Sequence, residues 1–255
     1  TIQSVYSKTI GKDILYIRVA SFDKKVEEDV AKAIKKHKST TKGIVLDLRN
    51  NPGGLLDQAV GLVDLFVDEG DIVSQKGRKK ADDEIYSAKS SSTITKVPLV
   101  VLVNGGSASA SEIVSGALQD HKRGIIVGQN TFGKGSVQVV LPIVDDEAIK
   151  LTIARYYLPS GRTIQAVGVA PDIEVQPGEV KKRENGFSIK EADLKKHLEE
   201  ELDKANGHDK DKDKISKKAA EDKAKKDIIT QEQLYKDIQL KESVDIMKAL
   251  IIVKG

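Results

Sequence analysis

Cysteine is absent from this 255-residue chain, and so is tryptophan. Without cysteine there is no disulfide, no thiolate nucleophile, no iron–sulfur cluster and no cysteine-ligated zinc. The same absence is compatible with an oxidising compartment, where a stray thiol is a folding liability. Aromatic residues make up 4% of the chain, which argues against a base-stacking surface. The net charge of +3 is too balanced for nucleic-acid binding by bulk electrostatics. No stretch of about 18 apolar residues occurs, so no transmembrane helix is expected. Thr1 opens neither the charged nor the apolar part of a signal peptide, so any export signal is expected to have been removed or to lie outside this chain.

What is present is 39% hydrophobic residues, enough for one large core. At roughly 150 residues per domain the length corresponds to about 1.7 domains, a core with an appendage. Residues 1–178 alternate strand and helix signals. Ile14 to Val19 is a β-prone run, and Asp23 is placed to cap a helix carrying Val26, Val30 and Ile34 at helical spacing. Gly43-Ile-Val-Leu-Asp-Leu48 is a compact apolar strand, with Asp47 its one charged residue, and Pro98-Leu-Val-Val-Leu-Val103 is a second apolar run, as expected of strands buried on both faces. Helices are expected from about Leu56 to Val67 and from about Ala110 to Gln119. Further strands are expected at Asp71–Gln75, Glu84–Ala88, Gly124–Gly128, Ser136–Leu141 and Ile149–Tyr157, the last two paired across an acidic turn at Asp145-Asp146. This alternation predicts an α/β core with a largely parallel sheet.

The pattern changes in residues 179–255. Ser188-Ile-Lys-Glu191 matches a capping box, and Leu194, Leu198 and Leu202 follow at i, i+4 and i+8. Thirteen of the twenty residues from Gly207 to Lys226 are charged, which predicts a linker or frayed helix. Thr230-x-x-Gln233 is a second capping box, and Val244, Met247, Leu250 and Ile251 mark an amphipathic helix. These helices carry too little apolar surface to stand alone, so they are expected to dock on the core or on a second subunit.

Three segments carry candidate chemistry. Asn104-Gly-Gly-Ser-Ala-Ser-Ala-Ser-Glu112 lies between a buried strand and a helix. Its plain reading is a capping box formed by Ser109 and Glu112. Its functional reading makes one of Ser107, Ser109 and Ser111 a nucleophile, with the helix N-terminus offering free N–H groups to an oxyanion. No histidine serves as its base. His121 follows Ser109 by 12 residues on the same helix, about 18 Å away at 1.5 Å per residue. His37 sits near a helix end, and His197 and His208 belong to the charged tail. Lysine replaces histidine in some hydrolases when its site favours the neutral amine. Gly133-Lys-Gly-Ser-Val-Gln138 is the place to look, because Lys134, Ser136 and Gln138 share a face if the segment is a strand. The plain alternative is a surface lysine in a turn. Leu48-Arg-Asn-Asn-Pro-Gly-Gly54 follows the other buried strand and can present N–H groups to an anion. Loops at the carboxyl ends of neighbouring strands converge on one crevice in such sheets, so these loops are expected to meet.

Together these segments resemble the carboxy-terminal processing proteases, tail-specific serine endopeptidases with a Ser-Lys catalytic pair. The resemblance rests on Leu46–Gly54, Gly106–Glu112 and Gly133–Gln138, with Tyr157-Leu-Pro-Ser-Gly-Arg-Thr-Ile-Gln165 and Gly168-Val-Ala-Pro-Asp172, in family order over about residues 1–175. It implies a ClpP/crotonase-like α/β protease core in residues 1–178, with residues 179–255 as an appended, mostly helical segment for docking or dimerisation. It implies Ser109 as nucleophile, Lys134 as general base and Gln138 as the residue supporting it. The implied oxyanion donors are the N–H groups of Ala110 and Gly54. No metal and no cofactor are implied. The substrate would be unfolded or C-terminally exposed polypeptide, and the setting extracytoplasmic, with a homodimer and a regulatory or adaptor protein as partners. Family members carry a PDZ domain before the segment that begins here at about Thr1. Nothing in residues 1–255 resembles one, so the chain is expected to be the protease core without it. Two competing readings keep the same fold. One is a catalytically silent dimeric scaffold that binds polypeptide, with Ser109 a mere cap. The other is a crotonase-like acyl-thioester enzyme, which needs no serine nucleophile.

Overall fold

The computed structural model describes residues 3–143, 147–180 and 227–254. The turn at Asp145-Asp146, the Ser188–Glu191 box, the Leu194–Leu202 periodicity, His197, His208 and the charged stretch 207–226 lie outside the described residues.

The apolar runs form the centre of a seven-stranded sheet. Its strands are β1 (Val5–Ile10), β2 (Ile14–Val19), β3 (Gly43–Asp47), β6 (Leu99–Val103), β7 (Ile125–Gly128), β10 (Ile173–Glu174) and β11 (Ile228–Ile229), in the order β10-β7-β6-β3-β2-β1-β11. All neighbours pair in parallel except the β1–β2 hairpin. The hairpin turns through Gly11 at φ 64, a left-handed conformation that glycine adopts without a Cβ clash. The apolar pattern alone begins the sheet at Ile14. Strand β1 escapes it because Ser7, Lys8 and Thr9 interrupt the run, and pairing with β2 supplies what local pattern does not.

Period-two alternation divides the sheet between two cores. Leu15, Ile17, Ile44, Leu46, Val101 and Val103 face helices α1 (Val26–Lys36), α2 (Leu56–Asp64) and α3 (Ala110–Asp120). Ile14, Tyr16, Val45, Val100, Leu102 and Val127 face the other way, against Leu240, Val244 and Met247. Those three belong to the last helix, so the expected docking of the C-terminal helix is onto this chain's own core. Each such burial stabilises by about 1.5–3 kcal/mol. Gly43 marks the closest approach, since a side chain there would run into Met247 Sδ.

A second, four-stranded antiparallel sheet packs beside the first. Its order is β5 (Glu84–Ser87), β4 (Asp71–Gly77), β9 (Ala148–Tyr157), β8 (Ser136–Pro142). The C-terminal segment continues with α4 (Gln231–Tyr235) and α5 (Ile238–Lys254). The capping box at Thr230 is formed: its N–H donates to Gln233 Oε1 at 3.0 Å, and its hydroxyl accepts from the Gln233 N–H at 3.4 Å.

Two helix boundaries differ from expectation. Asp23 does not cap α1; Lys25 holds the N-cap position, while Asp23 Oδ1 accepts the Lys25 N–H at 3.0 Å in a turn one step earlier. Helix α2 ends at Asp64 rather than Val67, and Leu65–Val67 close with turn bonds to Gly61 and Val63 so that the chain can swing into β4.

Candidate active site

Strands β3 and β6 are parallel neighbours, so the loops leaving their carboxyl ends emerge side by side, as expected. They are then tied together. The Asn50 N–H donates to Asn104 Oδ1 at 2.8 Å, and Asn104 Nδ2 donates back to Asn50 Oδ1 at 2.9 Å. The Ala108 N–H donates to the Asn51 carbonyl at 3.0 Å. Asn51, fully buried, anchors its own loop by donating from Nδ2 to the Val19 carbonyl at 2.9 Å.

This stitching separates the three serines. Ser107 and Ser111 are fully buried. Ser107 Oγ donates to the Leu48 carbonyl at 2.8 Å, and Ser111 Oγ to the Asn51 carbonyl at 2.9 Å. Both hydroxyls therefore hold the two loops to each other. Ser109 is half-buried and stands at the N-terminus of α3 with φ 54 and ψ −112. A β-carbon in this region costs about 1–3 kcal/mol, a strain typical of functional positions.

Of the first loop's glycines, Gly53 gives way to Ser109 and Gly54 to Phe22. A Cβ on Gly53 (φ 103) would lie 2.9 Å from both the Ala108 carbonyl oxygen and Ser109 Cβ, and 3.1 Å from the Ala110 nitrogen. A Cβ on Gly54 (φ 148) would run into the Phe22 carbonyl. The Gly53 N–H is spent on Asn51 Oδ1 at 2.9 Å. The N–H groups of Gly54 and Ala110 have no acceptor among the described residues.

The lysine segment reaches the serine loop through a buried carboxylate. Glu112, fully buried, accepts the Ser109 N–H on Oε2 at 2.8 Å and the Lys134 N–H on the same oxygen at 2.8 Å. Its Oε1 accepts the Gly133 N–H and the Thr131 hydroxyl, each at 2.6 Å. The carboxylate half of the expected capping box is thus formed, while the Glu112 N–H donates to the Ser109 carbonyl at 2.9 Å and the Ser109 hydroxyl makes no cap bond; the glutamate carries far more than a cap. The Phe132 N–H adds a bond to the Ser107 carbonyl at 3.0 Å. On its other side the segment is held by Gln165 of the Tyr157–Gln165 motif, whose Oε1 accepts the Gly135 N–H at 3.1 Å, and by β9, where the Tyr156 N–H donates to the Gly135 carbonyl at 2.8 Å. Residue type alone marked Glu112 as a cap at N3; its three further donors come from residues 131–134 and have no local signature.

Lys134 precedes β8, which begins at Ser136, so the shared-face pattern does not extend to it. Its backbone is oriented by Glu112 instead, and its side chain is half-buried. Gln138 is exposed, and its Nε2 donates to Thr152 Oγ1 at 3.5 Å. His121 caps the far end of α3 and bonds the Asp71 carbonyl through Nε2 at 2.7 Å; His37 caps the end of α1. Neither is near Ser109. Among the described residues no group of His, Asp or Glu side chains is arranged to hold a metal ion, and no helix is long and apolar enough to cross a membrane.

The sequence profile of peptidase family S41 matches residues 13–175, well over half of the chain. The chain belongs to peptidase family S41. The match runs from the start of β2 to β10 and includes both loops, Ser109, Glu112 and Lys134. Among relatives of this S41 chain, the carboxy-terminal-processing protease of Bartonella bacilliformis is 47% identical over 76% of the chain and 47% of its own length. The carboxy-terminal processing protease CtpA of Bacillus subtilis is 36% identical over 69% of the chain and 38% of its own length. Among solved structures, the photosystem II D1 C-terminal processing protease superposes with a TM-score of 0.62 at 37% identity, over 69% of this chain and 49% of that one. The mixed α/β fold thus matches S41 peptidase structures, and the chain also carries the C-terminal helix α5. The S41 chain spans less than half the length of each of these relatives.

Proposed function

We propose that this chain is the core of a serine endopeptidase that cleaves unfolded or C-terminally exposed polypeptide through a Ser109–Lys134 dyad and an acyl-enzyme. The observation that carries the reading is the pairing of a strained, half-buried serine at a helix N-terminus with a lysine segment bound to the same glutamate. The neutral Lys134 amine takes the proton from Ser109 Oγ as that oxygen bonds to the substrate carbonyl carbon. The N–H groups of Ala110 and Gly54 receive the oxyanion. The C–N bond then breaks, and the leaving amine takes the proton from the Lys134 ammonium. Water attacks the ester, Lys134 accepts its proton, and the proton returns to Ser109 Oγ as the acid product leaves.

The free N–H groups of Gly54 and Ala110 support their assignment. Gln138 completes the assignment as the support of the Lys134 amine, a role that requires its side chain to leave Thr152. We assign residues 1–178 to the protease core and 179–255 to an appended segment. A homodimer, an adaptor partner and an extracytoplasmic location rest on the family resemblance and belong to the same proposal.

The test is hydrolysis of fluorescein-labelled casein by the parent, Ser109→Ala and Lys134→Ala. Loss of a general base or nucleophile lowers turnover by about 10²-fold or more, so both variants are expected at background with melting curves like the parent's. Cleavage that survives in Ser109→Ala rejects the assignment.

A further inference from the structure

The proposed chemistry leaves one buried charged cluster unused, on the sheet face opposite α1–α3. Arg49 is its hub. Nε and Nη2 donate to Oδ1 and Oδ2 of Asp47 at 2.9 and 2.6 Å. Nη1 and Nη2 donate to Oδ1 and Oδ2 of Asp237 at 2.8 Å each, and Nη1 also donates to Gln239 Oε1 at 3.1 Å. These bonds use all five donors of the guanidinium fork. Asp47 is fully buried, and it also accepts the Arg49 N–H at 3.0 Å and the Tyr16 hydroxyl at 2.8 Å.

The two halves of the fork have different reach. Asp47 and Tyr16 lie on β3 and β2, within the sheet. Asp237 and Gln239 belong to the C-terminal segment, at the entry to α5. Arg49 is followed directly by Asn50, which sits at φ 56 and bonds reciprocally to Asn104. Asn51, Gly53 and Gly54 come next, ending at the Gly54 N–H proposed above as an oxyanion donor. A charge-assisted double fork therefore fixes the backbone at the root of this loop, and half of it is supplied from the far end of the chain.

We propose that the C-terminal segment, residues 227–254, sets the geometry of the oxyanion loop through Arg49, making Arg49 a positioning residue and Asp237 the contact through which the segment acts on the site. The proposal rests on the assignment of Gly54 as an oxyanion donor. With Asp237 docked, the guanidinium plane has one orientation and the loop root is rigid. With Asp237 withdrawn, Arg49 keeps Asp47 but loses the second fork, and the Asn50–Gly54 backbone loosens while every group that touches substrate remains.

The test uses the full chain and two readouts. Hydrogen exchange followed by mass spectrometry compares the parent with Asp237→Asn and Asp237→Glu. In Asp237→Asn the hydrogen-bonded amides of Asn50, Asn51, Gly53 and Leu55 are expected to exchange about tenfold faster, while β6 and β7 keep their protection. Asp237→Glu restores part of that protection. On labelled casein, kcat of Asp237→Asn is expected to fall about tenfold with KM within about twofold. Adding Asp237→Asn to Arg49→Lys is expected to cost nothing beyond Arg49→Lys alone, because both act through one fork. Faster exchange confined to residues 227–254, with the loop protected and kcat unchanged, overturns the proposal. Losses that add across the two substitutions also overturn it. If the parent shows no serine-dependent cleavage, the protease assignment fails, and exchange at residues 50–55 alone decides the role of Arg49.

Discussion

Ser109 and Lys134 donate their backbone N–H groups to the same oxygen of Glu112, each at 2.8 Å. The two residues stand on different elements, and one buried carboxylate brings their backbones to a common point. Its other oxygen holds Gly133 and Thr131.

Glu112→Gln tests this bridge. The amide is close in shape, but its NH2 group faces donors where the carboxylate had an acceptor. A buried donor left without a partner costs about 1–3 kcal/mol, so urea unfolding is expected to show a loss in that range or above. Casein hydrolysis is expected to fall by more than the folded fraction does, because both proposed dyad residues shift. Activity that simply tracks the folded fraction would reduce Glu112 to a structural cap.

The three serines are expected to separate by phenotype. Ser107→Ala and Ser111→Ala each lose a buried bond to a loop carbonyl, at a cost of about 1 kcal/mol or somewhat more, and keep hydrolysing casein. Ser109→Gly loses hydrolysis yet melts no lower than the parent, since glycine relieves the backbone at φ 54. Thermal melts monitored by circular dichroism, run beside the casein assay, give both halves. An active Ser109→Gly contradicts the nucleophile assignment.

Gly53→Ala places a methyl group 2.9 Å from Ser109 Cβ. Neither backbone carbonyl nor Cβ can yield without moving the helix N-terminus. Overpacking of this kind costs about 1–3 kcal/mol, and the variant is expected to stay folded at 25 °C but to lose casein hydrolysis. Wild-type rates in Gly53→Ala would place this loop away from the reacting centre.

Asp237 carries an acid dependence. Burial alone raises its carboxyl, but the hydrogen bonds and charge of Arg49, with the Leu240 and Gln239 N–H groups, outweigh burial and hold it below the usual aspartate value. A lowered folded-state value means stabilisation that is complete above the unfolded-state pKa of about 3.9 and is lost as pH falls through the lower folded value. Asp47, Tyr16 and Gln239 face the same guanidinium. Docking of α5 is therefore expected to be constant near neutrality and to weaken below about pH 4, whereas Asp237→Asn, with no carboxylate to protonate, is expected to dock more weakly already at neutral pH and to lack this acid step. Hydrogen exchange of α5 amides across an acid pH series reads this directly. A docking loss centred near pH 7 would point to another group.

Much of this was legible in the sequence because it is locally encoded. The apolar runs at Gly43–Leu48, interrupted only by Asp47, and at Pro98–Val103 read as strands covered on both faces, and the glycine-rich loops after them were expected to converge at the carboxyl ends of a parallel sheet. The capping box at Thr230 and the Glu112 half of the one at Ser109 follow from residue type and spacing. Other features were not legible, because their partners are distant in the chain. Strand β1 exists through pairing with β2. Lys134 is oriented by Glu112 rather than by strand alternation, which starts only at Ser136.

By itself the sequence determined the α/β alternation, the two loops, the exclusion of thiol chemistry and the order of motifs that marks family S41. Only the tertiary structure decided which serine hydroxyls are spent on backbone carbonyls, that Gly53 rather than Gly54 gives up its N–H within its own loop, and that Arg49 binds the C-terminal segment. The reason is the range of the interactions. Periodicity, turns and caps are set within a few residues, whereas a hydrogen-bond donor is spent or spared by whichever acceptor the completed fold brings to it.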